Sequence, residues 1–460
     1  MKSAISENRW FKSARFLFAA VLAAAVVWAA LPVVVGAQKP AADARQVTFT
    51  KDVAPILQRS CVSCHRAGEM APMALMTYED VRPWARAVKT RVEAREMPPW
   101  HIDRNIGIQK FKDDPSLSDE EIATIAKWVD ANAPRGNPAD MPPPRQFADA
   151  SEWQIGKPDL IVKYPTYTVP AAGPDLFGSL YTPSGLTEDR YIKAIQTRTD
   201  SAGARKVVHH ALSFAVAPDT NSQSNGDDST SADGGQFLVE YASGKNAEIY
   251  PPDSGVLLQA NQKLKVDYHL HSVGEEVKAN IEVGIVFYPK GVVPQHVRWS
   301  KQIAQPTTPL DIPAGNIVRR DGYQKFYKAA RITAFQPHMH IRGKAQCLEL
   351  IYPNASTEVV SCAHFNYNWH LDYNYADDVA PLIPAGTILH VISWHDNSAS
   401  NKYNPDPRNW VGDGQRTIDE MGFAWIGWYD LTDDEYKAEW AARKALQGKA
   451  TTTTGQQQQQ

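Results

Sequence analysis

Between Arg59 and Gly68 the chain reads RSCVSCHRAG, one CxxCH that takes two of the four cysteines in 460 residues. This is the pattern of covalent c-type haem attachment: Cys61 and Cys64 add to the vinyl groups and His65 supplies one axial ligand. The competing reading, a thioredoxin-like redox pair beside a chance histidine, needs a βαβ context, and the flanking sequence reads as helical instead. A methionine can complete the haem iron, and Met70, Met73, Met76 and Met97 are all available. Met97 is the expected ligand. It lies in REMPPW, where two prolines stiffen a loop between helices, and Met/His ligation raises the haem potential.

A second group of chemically able residues is spread downstream, in VVHHALSF, VDYHLHSVG, FQPHMHIRGK and TIDEMGFAW. Alternate residues of a strand share a face, so His338 and His340 can turn toward one metal ion. Adjacent His209 and His210 cannot do so on a flat strand; they need a bulge or a strand end. His269 and His271 alternate as well and compete for one role. There is no HExxH, and no Ser-His-Asp pattern stands out.

Different elements must carry these two groups. TYEDVRPWARAVKTRVEARE and LSDEEIATIAKWVDANAP read as amphipathic helices. In the second, Ser118 and Glu121 form a capping box, and Ile122, Ile125, Ala126 and Val129 make an apolar stripe. A short helical domain over residues 45–135 that ends in IAKWVD resembles a small class I cytochrome c. The Pro-rich stretch at 136–150 reads as a linker. Beyond it the period changes to short runs rich in Val, Ile, Tyr and Phe with turns between them, as in KVVHHALSFAV, KLKVDYHLHSV, AQCLELIYP and TILHVISWHD. The expected fold class is therefore multidomain: a small all-α cytochrome c domain, then two antiparallel β-sandwich domains over 151–310 and 311–443. The segment QCLELIYPNASTEVVSCAH is symmetric about Asn354-Ala355. A hairpin turning there sets Cys347 opposite Cys362, within reach of a disulfide. Asp219–Gly235 reads as a polar surface loop, and residues 444–460 as a disordered, low-complexity tail.

The amino terminus addresses the chain for export. Lys2, Arg9, Lys12 and Arg15 precede an apolar run from Phe16 to Val35, and small residues follow to Ala37, the layout of a secretory signal peptide over 1–37. The run is also about long enough to span a bilayer as a retained anchor, so a membrane partner enters only if it is uncleaved. The expected location is periplasmic or otherwise extracytoplasmic. With 48 Lys+Arg against 51 Asp+Glu, the formal net charge is −3. No basic stripe argues for nucleic acid.

Taken in order, HH, then H, then HxH, then Met resembles the copper type II, ascorbate-dependent monooxygenases, the family of peptidylglycine α-hydroxylating monooxygenase and dopamine β-hydroxylase. PHMHIRGK is similar to the family's HxHxxGK segment, and HHALSF to its double histidine. In DYHLHSVG, His269 fits the family's His followed five residues later by Gly. The resemblance covers most of Trp153–Trp428. It implies two coppers on two β-sandwiches: His209, His210 and His269 hold the first, and His338, His340 and Met421 the second, where dioxygen and substrate meet. The larger disulfide set of the animal enzymes is absent here. Independently, a site of two imidazoles and a thioether is soft and suits Cu(I), whereas a zinc hydrolase would call for a carboxylate or third histidine and a general base.

The resemblance also implies a reaction that inserts one atom of O2 into an aliphatic C–H bond of a small organic substrate and needs two electrons per turnover. A tethered haem c is a one-electron carrier. It would act as a built-in port for a redox partner, replacing or supplementing ascorbate. The readings from other classes are an electron-transfer protein and a copper-binding module without oxygenase activity.

Overall fold

The computed structural model describes residues 46–67, 69, 71–146, 153–220, 235–242, 247–303, 309–414 and 416–457. The export segment with its apolar run from Phe16 to Val35, Met70 and most of the polar 219–235 loop lie outside these residues. Strands dominate what is described: KVVHHALSFAV gives Val208–Val216, KLKVDYHLHSV gives Lys263–Leu270, and ITAFQPHM of ITAFQPHMHI lies in Ala329–Met339.

Four strands, Leu176–Pro183, Lys263–Leu270, Val208–Val216 and Gln236–Ala242, form one antiparallel sheet in that order. One face of this sheet supplies Ala211, Ala215, Leu264, Val266 and Leu270 to an aliphatic core. The alternate residues face the other way. Phe214, Val216 and Phe237 pack there against Phe423 and Trp425 of the strand Gly422–Leu431, with Met421 and Leu212 at the margin. The period of two thus gives the sheet a second buried face, the one that carries His210 and His269.

The expected fold class does not hold. The chain is 40% strand and 17% helix, and a small all-α cytochrome c domain does not occur among the described residues. Between Phe49 and Asp130 there are only short helices, the longest of them Asp119–Asp130. Its capping box, Ser118 with Glu121, is formed as read. Strand Ile102–Gly107 interrupts this helical stretch and joins a five-stranded sheet through Thr357–His364, with Ile102 opposite Ala363. Ile102 and Phe111 bury into the core of the C-terminal half, where Phe111 stacks on Tyr375 at 5.3 Å. The apolar residues of HIDRNIGIQKF are therefore spent on a distant sheet edge, and helical periodicity cannot show this.

The two halves of the β-region are also continuous rather than separate sandwiches. A ten-stranded sheet crosses both, because strand His296–Ile303 pairs in parallel with Ser254–Leu258 on one side and antiparallel with Gly422–Leu431 on the other. The chain from Val47 onward packs as one compact unit. The C-terminal helix, Asp433–Gln457, takes in most of the stretch read as a tail. Among the described residues, no helix is long and apolar enough to cross a membrane.

Candidate metal centre

The first site is made by a defect in a ladder. Strands Val208–Val216 and Lys263–Leu270 pair antiparallel with His269 opposite His210, but the next pair is Leu270 with Val208. His209 is the extra residue. A bulge turns its side chain out of strict alternation, so both neighbouring histidines reach the same side. The ring centroids of His209 and His210 lie 4.8 and 5.1 Å from that of His269. Ligand nitrogens of the three all fall within 4.8 Å of one another. His271 is not in this group; its ring lies 6.2 Å from that of His209.

The donor atoms are set for a metal. Nδ1 of His209, His210 and His269 is buried without a hydrogen-bond partner in each case. His269 uses its other nitrogen, Nε2, toward Asp175 Oδ2 at 2.9 Å, and its ring stacks on Phe177 at 4.3 Å. A carboxylate behind a ligating imidazole fixes its tautomer and orientation. Burial lowers the pKa of all three: His209 to about 4, His210 well below the ordinary histidine value, and His269 less far because Asp175 opposes the shift. Three neutral imidazoles with free Nδ1 atoms fit a copper or zinc ion.

His338 lies on Ala329–Met339, and His340 follows one residue beyond its end. Their ring centroids are 5.9 Å apart. His338 lies opposite Phe423 in the ladder and stacks on it at 4.4 Å. The last ladder pair is Met339 with Gly422. Met421, the residue before Gly422, is half-buried against the Phe423–Trp425 cluster. The structure thus brings Met421 to the aromatic cluster on which His338 stacks. His338 Nδ1 is buried and partnerless, while His340 Nδ1 meets the Asp419 carbonyl at 3.1 Å. Burial lowers the His338 pKa to about 3 and lowers that of His340 as well.

Glu420, fully buried, holds this segment in place. Its carboxylate accepts the backbone N–H groups of His340 at 3.0 Å and Arg342 at 2.6 Å. The turn between them closes with Gly343 N–H donating to the His340 carbonyl at 2.9 Å. A Cβ on Gly343 would lie 2.5 Å from Met339 Cβ, so the turn after the HxH pair requires glycine.

Two functional candidates have no motif. His370 and Tyr367 belong to the FNYNWHLD stretch after strand Thr357–His364. Tyr367 stacks on His209 at 5.7 Å and bonds Thr417 Oγ1 at 3.1 Å. The His370 ring lies 5.6 Å from that of His209, 5.4 Å from His210 and 5.3 Å from His338. In sequence His370 is, with His364 and His395, among the histidines nearest the HxH and Met motifs, and spacing alone prefers none of the three.

At the CxxCH, Cys61 and Cys64 are free thiols. Burial, aided by Cys64, pushes the Cys61 thiol up to about 12, and burial raises Cys64 too. His65 N–H donates to the Cys61 carbonyl at 2.9 Å, one helical turn on. The His65 ring points Nδ1 at the Met73 carbonyl, 3.1 Å away, which frees Nε2 for an iron. Two thiols and an oriented imidazole fit covalent haem attachment. Met97 is half-buried in the loop after Ala85–Glu93.

No family model matches the chain, and no curated protein matches it. Solved structures similar to part of it include PNGase F, a glycosylasparaginase from Flavobacterium meningosepticum, at 10% identity over 60% of this chain and 97% of that one, with a TM-score of 0.24. Another is the VP2 subviral particle of infectious bursal disease virus, at 10% identity over 63% of this chain and 75% of that one, with a TM-score of 0.20. Likenesses at this level carry no argument about the fold or the chemistry of the chain.

Proposed function

We propose that the chain is an exported, copper- and haem-dependent monooxygenase that hydroxylates an aliphatic carbon of a small organic substrate with O2. The observation that carries the reading is the bulge at His209, which turns two adjacent histidines and His269 toward one point with three partnerless Nδ1 atoms. A hydrogen-bonded surface histidine has no use for that arrangement. Bound copper and haem would supply one-electron transfer and activation of dioxygen.

The chain's own residues do the rest. His209, His210 and His269 would hold the first copper, with Asp175 fixing the tautomer of His269. His338, His340 and Met421 would hold the second, and the thioether makes that site soft. Glu420 keeps the backbone of His340 from shifting. Phe423, Phe214, Trp425 and Phe237 cover one side of the second site with apolar surface and exclude water there. Cys61, Cys64 and His65 would carry the haem c, with Met97 as the expected sixth ligand, and a redox partner would deliver electrons to it.

Metal and haem analysis of purified protein, followed by O2 uptake with candidate substrates, tests this reading. Two coppers and one covalent haem per chain, with substrate-dependent O2 consumption, are expected. A protein that binds copper yet consumes no O2 with any organic substrate would be an electron-transfer or copper-binding protein, and one that binds no copper would overturn the reading outright. Haem-stained denaturing gels of the Cys61→Ser, Cys64→Ser double variant test the haem, since a stained band surviving there removes that assignment.

A further inference from the structure

We propose that Tyr367 is a positioning residue of the first metal site: its ring, tied at the hydroxyl to Thr417, sets the orientation of the His209 imidazole. This inference rests on the copper reading above for the His209, His210 and His269 site and deepens it, because that site is then completed by a stretch far away in sequence.

His209 is the histidine with the least support from its own sheet. His210 has a ladder partner on each side, His269 and Ala242. The His269 ring is held by Phe177, stacked at 4.3 Å, and by Asp175, bonded at 2.9 Å. His209 is the extra residue of the bulge and has no partner in either ladder of its strand. Its Nδ1 is buried without a hydrogen bond. The last torsion of a histidine side chain is broad, so the plane of this ring must be set by what packs on it.

Tyr367 does so. Its ring centre lies 5.7 Å from that of His209, with the two planes 22° apart, within the range of offset stacking. The rings of His210, His269, His271 and His370 meet His209 at 54° or more. Tyr367 therefore stands to His209 as Phe177 stands to His269, where the planes are 18° apart.

The hydroxyl end is anchored as well. Tyr367 bonds Thr417 Oγ1 at 3.1 Å. The residues after Thr417 are themselves held, since buried Arg342 donates to the Ile418 carbonyl at 2.8 Å and the Asp419 carbonyl meets His340 Nδ1 at 3.1 Å. A donor lone pair lies in the plane of its imidazole, so a ring free to rotate takes Nδ1 off the ion, and a partner that fixes the ring raises affinity.

Copper titration of the metal-free, full-length protein tests the proposal, with electron paramagnetic resonance of the equivalent that His210→Ala removes, which marks the first site. Tyr367→Leu removes the ring, and first-site affinity should fall about 10–100-fold in chelator competition. At saturating copper its first-site spectrum should also differ from that of the wild type, a change that lost stability alone does not produce. Tyr367→Phe and Thr417→Val remove the same hydrogen bond. Each should give a smaller loss, and the double variant no more than either alone. Wild-type affinity and spectrum in a folded Tyr367→Leu protein would overturn the role of Tyr367 and leave the copper reading intact. Absence of first-site copper from the wild type would remove both. Should Tyr367→Leu fail to fold, Tyr367→Phe and Thr417→Val decide: wild-type affinity and spectrum in both reject the proposal.

Discussion

Glu420 and His340 are joined inside the protein by a backbone bond, the carboxylate accepting the His340 N–H at 3.0 Å, and the same carboxylate takes the Arg342 N–H at 2.6 Å. His395, also fully buried, has Nδ1 3.3 Å from Glu420 Oε2. One carboxylate thus fixes the strand end that precedes and carries His340.

Replacing it should therefore cost both stability and metal. Glu420→Ala leaves two buried N–H groups unpaired at about 1–3 kcal/mol each, and it frees the His340 backbone. Denaturant unfolding should show a loss in that range, and chelator competition should show weaker copper binding at one site with the His209–His210–His269 site spared. Wild-type stability in Glu420→Ala would mean that water satisfies those groups.

The first site divides its two candidate histidines cleanly. Asp175→Asn keeps the shape but loses the charge behind His269, and first-site copper affinity should fall about 10–100-fold. His271→Ala should leave that affinity unchanged, since its ring stands outside the three-histidine group. The opposite pattern, measured by copper titration, would transfer the ligand role from His269 to His271.

Acid should destabilise the metal-free protein before ordinary carboxylates titrate. Burial holds His209 down to about 4 and His338 to about 3, and it lowers His210, His269, His340 and His370 as well. The unfolded chain, with histidines near 6.5, then binds more protons than the folded one as pH falls. Stability is complete above about pH 6.5 and is lost on the way down toward 4, by up to ~1.4 kcal/mol per pH unit for each such imidazole. Urea midpoints of metal-free protein at pH 7.5 and 5.5 check this; equal midpoints would mean that the cluster is protonated or hydrated in the folded state.

Cys347 and Cys362 face each other in the ladder and form a disulfide. Mass mapping under non-reducing conditions should recover the two peptides linked. Closing a loop of 15 residues stabilises by about 3 kcal/mol through the unfolded chain, so Cys347→Ala with Cys362→Ala should unfold at correspondingly lower denaturant. Two alkylatable thiols in native protein would refute the pairing.

Much of the site was legible before any fold was known. The HxH pair needs only the period of a strand, and adjacent His209 and His210 already demanded an irregularity, which the ladder supplies as a bulge. The symmetry of QCLELIYPNASTEVVSCAH places the disulfide without reference to any other element, because a hairpin is a local object. Local too is the capping box of Ser118 and Glu121. What tertiary structure alone decided is long-range. His370 has no periodic partner and meets His209, His210 and His338 because the stretch after Thr357–His364 packs between strands more than a hundred residues apart in sequence. Glu420 looks like any acidic loop residue until its carboxylate meets the backbone of His340. The strand Ile102–Gly107 has too few residues to declare itself, and its apolar side chains find their place only at the edge of a sheet built from the other end of the chain. In each case the deciding energy is burial against a distant partner, and sequence spacing carries no record of that distance.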